Sequence, residues 1–165
     1  DVLRGAAVQV LGKPADMGLV NIGGLRNVLT EGPVTCGNIY EILPFENSLC
    51  VVTLKGTDLN HLFENIAACG GEGVSGVQLH ITKDGKLLRA TVAGKPVVED
   101  RMYTVATIDY LADGNDGMTA LIRAEKRECP QGATLRSLFM DYVERQTAEG
   151  EKITSRMEGR ITVED

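Results

Sequence analysis

A chain of 165 residues is long enough to bury one core and short enough to be a single domain, so residues 1–165 are read as one unit. Its 43% hydrophobic and 24% charged residues are ordinary for a globular protein, and a formal net charge of -6 excludes a general nucleic-acid or anionic-membrane surface. No stretch approaches the roughly 20 apolar residues of a membrane span.

In chain order, Asp1 to about Leu11 reads as the exposed end of a helix. Opening mid-helix, without a methionine or signal peptide, the sequence is expected to be an excerpt of a longer protein, and its compartment cannot be read from a targeting signal. Gly12 to Asp16 is a turn that delivers a short strand at Met17–Val20. Thr35 is placed to cap a short helix through Asn38, Ile39 and Ile42, which Pro44 ends. Ser48 to Lys55 is a strand whose continuous apolar run predicts burial on both faces. Thr57 is a good N-cap for the clearest helix, with Leu59, Leu62, Phe63, Ile66 and Ala67 at helical spacing and Gly70-Gly71 as its stop.

Gly73 to Gly76 precedes a strand at Val77–Thr82, and the Asp-Gly turn at residues 83–86 returns the chain along Leu87–Val92. Pro96 to Val98 is an edge piece, and Tyr103–Ile108 is a buried strand. Thr134 to Glu144 is an amphipathic helix with Leu135, Leu138, Phe139, Tyr142 and Val143 on one face, and Arg160–Val163 closes the chain as a strand. Helices and hairpins are interspersed without strict alternation, which predicts an α+β fold: a layered sandwich of mixed β-sheet with helices. Leu62, Phe63, Ile66, Val51, Val105, Leu138 and Phe139 are its expected core.

Two strand-end loops stand out. After Met17–Val20 come Asn21, the pair Gly23-Gly24 and Arg26, and farther on Phe45 follows Pro44 outside any periodic run, in a chain with three Phe, four Tyr and no Trp. Paired glycines permit positive φ and close backbone approach. After Tyr103–Ile108 the same grammar returns as Asp109-Tyr110-Leu-Ala-Asp113-Gly114-Asn115-Asp116-Gly117. Two aromatics, an Asn, an Arg and an Asp on strand-end loops suit a planar, hydroxylated ligand. Aromatic faces stack on bases, Asp116 can accept from vicinal ribose hydroxyls, Arg26 presents a planar fork and Asn21 can pair with a base edge.

Catalytic arrangements are wanting. The two histidines, His61 and His80, belong to no metal-spaced cluster, and the four cysteines have no CxxC spacing. Those cysteines read equally as disulfide partners or as small buried hydrophobes. Ser75 in Gly-Val-Ser-Gly precedes a strand and does not link strand to helix, so it is no nucleophile elbow. His61 and Cys69 lie on different faces two turns apart, and Asp109, Asp113 and Asp116 lack the EF-hand register. The chain is therefore expected to hold no metal, no cofactor and no catalytic residue of its own.

Three linked motifs carry a resemblance: N-I-G-G-L-R at residues 21–26, L-P-F-E-N with its following strand and L-K-G-T-D-L, and Y-L-A-D-G-N-D-G at residues 110–117. In order and spacing they resemble the C-terminal, substrate-binding domain of the secreted 5′-nucleotidase and UDP-sugar hydrolase family, over nearly the whole chain. That resemblance implies a nucleotide or nucleoside ligand and a separate N-terminal metallophosphoesterase domain of the same protein, holding two divalent metal ions and joined by a helix whose tail is the start of this chain. It also implies a periplasmic, extracellular or cell-surface location. Phe45 and Tyr110 match the aromatic pair that sandwiches the base, and Asp116 the aspartate that takes the ribose hydroxyls. Asn21 and Arg26 match the polar residues of the glycine-rich turn, with Gly23, Gly24, Gly114 and Gly117 as supporting loop glycines.

The departures are Ile22 for a small residue, Tyr110 for Phe, Asp109 for Asn, Asn115 for a glycine (acceptable if left-handed) and Gly73 near a usual Gln. Since stacking needs only the ring, Tyr110→Phe is expected to be nearly silent. The alternatives are the same family acting on nucleotide sugars or cyclic nucleotides, and a non-catalytic ligand-binding or structural module.

Overall fold

The computed structural model describes residues 1–165 and contains two mixed β-sheets. The strands are β1 (Met17–Val20), β2 (Leu49–Lys55), β3 (Gly73–Ser75), β4 (Val77–Thr82), β5 (Leu87–Val92), β6 (Lys95–Pro96), β7 (Met102–Ile108), β8 (Lys126–Glu128) and β9 (Ile161–Glu164). The helices are α1 (Val2–Ala6), α2 (Val8–Leu11), α3 (Cys36–Ile42), α4 (Gly56–Ala68), α5 (Asp109–Ala112) and α6 (Leu135–Ala148), with short 3-10 turns at Ile22–Gly24, Asn115–Gly117 and Thr119–Arg123. One sheet runs β3-β1-β7-β2-β8 and the other β6-β5-β4-β9. The pairs β1–β7 and β4–β9 are parallel and every other pair is antiparallel.

The apolar run of β2 does what its sequence predicts: Leu49, Cys50, Val51, Val52 and Leu54 are all buried, beside Val105, Ala106 and Ile108 of β7. Helix α4 covers them and also meets β5 of the second sheet, so its stripe of Leu59, Leu62, Phe63 and Ile66 is fully buried between the two sheets. Burying a side chain such as Phe63 contributes roughly 1.5–3 kcal/mol. A second, smaller cluster joins α3 to α6 through Ile39, Ile42, Leu43 and Val143.

Several local expectations are corrected. Leu138 and Phe139 are only half-buried, because α6 packs at the margin against α3 and α1 and not over the sheet. The first eleven residues form two short helices, not one exposed end, and Leu3 and Ala7 enter the main core. Helix α4 starts at Gly56 with Lys55 as its N-cap, so Thr57 caps nothing. Gly73–Ser75 is itself a strand, pairing with β1 in the first sheet before the chain crosses at Gly76 to the second. Thr35 does cap α3, in a reciprocal capping box with Asn38.

Residues Cys50 and Cys129 are joined in a disulfide that ties β2 to the end of β8, while Cys36 and Cys69 are unpaired. No helix is long and apolar enough to cross a membrane.

Register decides where the special loops go. Strands β1 and β7 run parallel with Gly18 beside Ala106, so Val20 and Ile108 end level and Asn21 and Asp109 leave the sheet side by side. Strand β2 is antiparallel to β7 with Leu49 opposite Ile108, which brings the Phe45–Ser48 approach to the same end. The Asp109 amide donates to the Ser48 carbonyl at 2.9 Å and joins two of the three loops directly. One end of one sheet thus collects all three.

Candidate functional site

Asp116 is the hub of that end. One carboxylate oxygen accepts from Asn21 Nδ2 at 2.8 Å and the other from the Tyr110 hydroxyl at 2.8 Å, so a single side chain links the loop after β1 to the loop after β7. Its backbone is left-handed (φ 55, ψ 29), an uncommon state for a residue with a Cβ and one that surrounding structure must hold in place. Gly114 (φ 88) and Gly117 (φ 78) supply the turn on either side. Asn115 is not the left-handed residue its type suggests; its amide instead donates to the Tyr110 carbonyl at 2.8 Å. The Asp109 carboxylate accepts from the Tyr110 amide at 2.8 Å, which satisfies one free amide in the first turn of α5.

The glycine pair after β1 works by close approach alone. Neither Gly23 nor Gly24 has positive φ; together with Ile22 they form a 3-10 turn. A Cβ on Gly24 would sit 2.8 Å from Asn21 Oδ1, so a glycine there lets the Asn21 side chain fold back over the turn. Asn21 is buried, and its amide reaches Asp116.

Arg26 and Phe45 meet on the other flank. The guanidinium carbon lies 5.1 Å from the Phe45 ring centroid, a cation–π contact, and the Arg26 amide donates to the Ile42 carbonyl at the end of α3 at 2.9 Å. Phe45 is 45% exposed and Tyr110 40%, which leaves area on both rings for a partner. A narrow crevice lined by Asn21, Gly24, Leu43, Phe45 and Ile108 opens beside Phe45, and Tyr110 and Asp116 do not line it. All five residues singled out from the sequence lie at this one end, in two contacting groups: Asn21–Asp116–Tyr110 and Arg26–Phe45.

The sequence reading missed Glu72. Its carboxylate accepts from the Ile22 amide at 2.6 Å and pins the glycine-rich turn from the side of β3. Burial pushes its carboxyl above the ordinary value, and the charge of Asp116 pushes the same way. Its pairing is nonlocal, across fifty residues, and only the adjacency of β3 to β1 could have revealed it. Cys69 is exposed at the end of α4, and partial desolvation there raises its thiol above the ordinary value. Donation to Asp116 holds the Tyr110 phenol above its usual range. His61 on α4 and His80 on β4 pair instead with Glu64 and Glu164. No three His, Cys, Asp or Glu side chains are grouped to hold a metal.

Two mixed sheets around one buried helix, with three loops gathered at the end of a parallel strand pair, define an α+β domain that displays side chains on loops and holds no grouped metal ligands. Residues 6–123 match the family model described as 5′-nucleotidase, C-terminal domain, and the chain belongs to that family. It is 28% identical to an apyrase of Aedes aegypti over 165 residues, 88% of this chain and 28% of that protein. It is 27% identical to the protein UshA of Salmonella pullorum over 115 residues, 67% of this chain and 21% of that protein. Among solved structures, a 5′-nucleotidase precursor from Thermus thermophilus superposes with a TM-score of 0.82 at 29% identity, covering 98% of this chain and 33% of that one. The chain thus spans a third or less of the length of these relatives.

Proposed function

We propose that this chain is the substrate-binding domain of a 5′-nucleotidase-type phosphohydrolase, and that it holds the nucleoside part of a nucleotide at the shared end of β1, β2 and β7. The observation that carries this reading is the bridging of Asp116 between Asn21 and Tyr110, which fixes a carboxylate beside an exposed ring. Each Asp116 oxygen receives one internal hydrogen bond and keeps lone-pair capacity for a vicinal ribose hydroxyl. The base stacks between Phe45 and Tyr110, each ring contributing roughly 1–3 kcal/mol. Asn21 spends its amide on Asp116 and keeps Oδ1 as an acceptor for the base edge. For the base to take the face of Phe45 that Arg26 now covers, the guanidinium slides outward, where its fork meets phosphate oxygens.

Hydrolysis belongs to residues outside this chain. An N-terminal metallophosphoesterase domain of the same protein would hold two divalent metal ions, which activate water and offset charge on the phosphate. Residues of the present domain orient the substrate toward them, a contribution of position and not of bond breaking. The Cys50–Cys129 disulfide supports a periplasmic or extracellular setting, where such bonds persist.

Calorimetric titration of the chain with adenosine, AMP, UDP-glucose and 2′-deoxyadenosine tests the reading. Saturable adenosine binding that weakens for the deoxy compound and is lost in Asp116→Ala is expected. Adenosine affinity in Asp116→Ala and Phe45→Ala equal to that of the unaltered chain would overturn it. Preference for UDP-glucose over AMP would assign the nucleotide-sugar branch of the family.

A further inference from the structure

Arg136 is the one charged side chain among the buried residues, 8% exposed, and lies in the first turn of α6. A buried guanidinium is costly without partners. Its Nη1 donates to the Leu43 carbonyl at 3.0 Å, and its guanidinium carbon lies 4.0 Å from the Tyr40 ring centroid. Its Nη2 reaches Glu46 at 3.4 Å, but that carboxylate is 82% exposed and adds little. Stability alone does not call for an arginine here. The α3–α6 contact is otherwise apolar, made by Ile39, Ile42, Leu43 and Val143, and a well-packed hydrophobe commonly matches or exceeds a buried charge.

What an arginine does and a hydrophobe cannot is donate to the backbone just before Phe45. Leu43 precedes Pro44-Phe45 and Glu46 follows it. The last carbonyls of a helix lack intrahelical partners, and Pro44 brings no amide to satisfy them. The Ile42 carbonyl is taken by the Arg26 amide and the Leu43 carbonyl by Arg136. The residues beside Arg136 continue the seam: the Leu135 amide donates to Asn47 and the Leu49 amide to Ala133. The loop that displays Phe45 is thereby fastened to the start of α6 and to the exit of the glycine-rich turn.

We propose that Arg136 is a positioning residue for the ligand site, fixing the ring of Phe45 through the backbone of Leu43. The consequence for affinity rests on the reading that Phe45 stacks a base; the fastening itself does not.

The chain contains no tryptophan, so Phe45→Trp places a single fluorophore at the loop tip. Its anisotropy and acrylamide quenching are read in four backgrounds without ligand: unaltered, Arg136→Gln, Arg136→Lys, and Val143→Ala as a destabilising control in the same helix contact. A fastened loop predicts lower anisotropy and stronger quenching in Arg136→Gln, partial rescue by Arg136→Lys, and no change in Val143→Ala. If Arg136→Gln does not fold, Arg136→Lys carries the comparison. Adenosine titrations then form a double-mutant cycle. Arg136→Gln weakens binding by roughly tenfold when Phe45 is present, and by much less in a Phe45→Ala background.

An indole equally immobile in all four backgrounds overturns the fastening, whatever the affinities show. Equal losses with and without Phe45 overturn the positioning role. An indole freed by Arg136→Gln, in a protein whose adenosine affinity is untouched by Phe45→Ala, leaves the fastening standing and removes the stacking.

Discussion

Replacing Tyr110 by Phe removes one oxygen and leaves the ring, so it separates stacking from the orientation of Asp116. The bond from the Tyr110 hydroxyl to Asp116 overturns the expectation that this change is silent. The hydroxyl donates to Asp116 at 2.8 Å, and the carboxylate's only other side-chain partner is Asn21. Without the hydroxyl, Asp116 keeps one tether on a residue whose backbone is already left-handed, and its oxygens lose their fixed bearing toward the ribose. A hydrogen bond to a charged group contributes about 1.5–3 kcal/mol when buried and less in the open. Tyr110 is exposed, so a weakening of roughly fivefold in Kd is expected. Tyr110→Ala loses this and a further ~1–3 kcal/mol of stacking. Calorimetry with adenosine and 2′-deoxyadenosine reads both: Tyr110→Phe should weaken adenosine by the stated factor and narrow its advantage over the deoxy compound. Adenosine affinity and deoxy discrimination both unchanged in Tyr110→Phe would refute the role of the hydroxyl and return the residue to a plain stacking ring.

Two further outcomes follow from the same structure. The Cys50–Cys129 bridge spans 79 residues, for which the chain-entropy relation gives about 4.5 kcal/mol, an upper figure because β2 and β8 are already paired beside it. Cys50→Ser with Cys129→Ser should lower Tm by about 10 °C, read by calorimetric melting; an unchanged Tm would show that the bridge does not constrain the unfolded chain. Glu72 has its carboxyl raised above the ordinary 4.5, by burial and then by the charge of Asp116. The folded state therefore holds its proton more tightly than the unfolded one, so the stability tied to this group is present in acid and is lost as pH rises through the raised value. Glu72→Gln keeps an acceptor for the Ile22 amide and removes the charge, so it should melt higher than the parent at neutral pH, with the gap closing in acid. A gap of constant size across that range would exclude the ionisation of Glu72 as its source.

Most of the scaffold is legible in the sequence because its signals are local. The apolar run of Leu49 to Val52, the stripe of Leu59 to Ile66, the Thr35 cap and the Asp-Gly turn each state their element within a few residues. The placement of Asn21 and Tyr110 was legible for a similar reason: a polar or aromatic residue just after an apolar strand stands at that strand's end whatever the sheet order. Parallel pairing of β1 with β7 is what makes two such ends coincide, and it depends on contacts nearly ninety residues apart.

Two of the misses are long-range. Glu72 looks like a solvated residue after a glycine pair until β3 is set against β1. Arg136 reads as a surface cation on an amphipathic helix, and only the docking of α6 on α3 buries it. The tether of Tyr110 to Asp116 lies within one loop, but it depends on a left-handed backbone at Asp116 that residue type alone does not announce.

A crystal structure of the chain with adenosine bound tests the central claim most directly. The account predicts the adenine ring between Phe45 and Tyr110, with the two side-chain rings about 7 Å apart, twice a stacking contact of ~3.5 Å, Arg26 displaced from the Phe45 face, and both ribose hydroxyls on Asp116. Adenosine bound anywhere else on the chain, or the rings of Phe45 and Tyr110 directed to opposite surfaces with the base on neither, would contradict it.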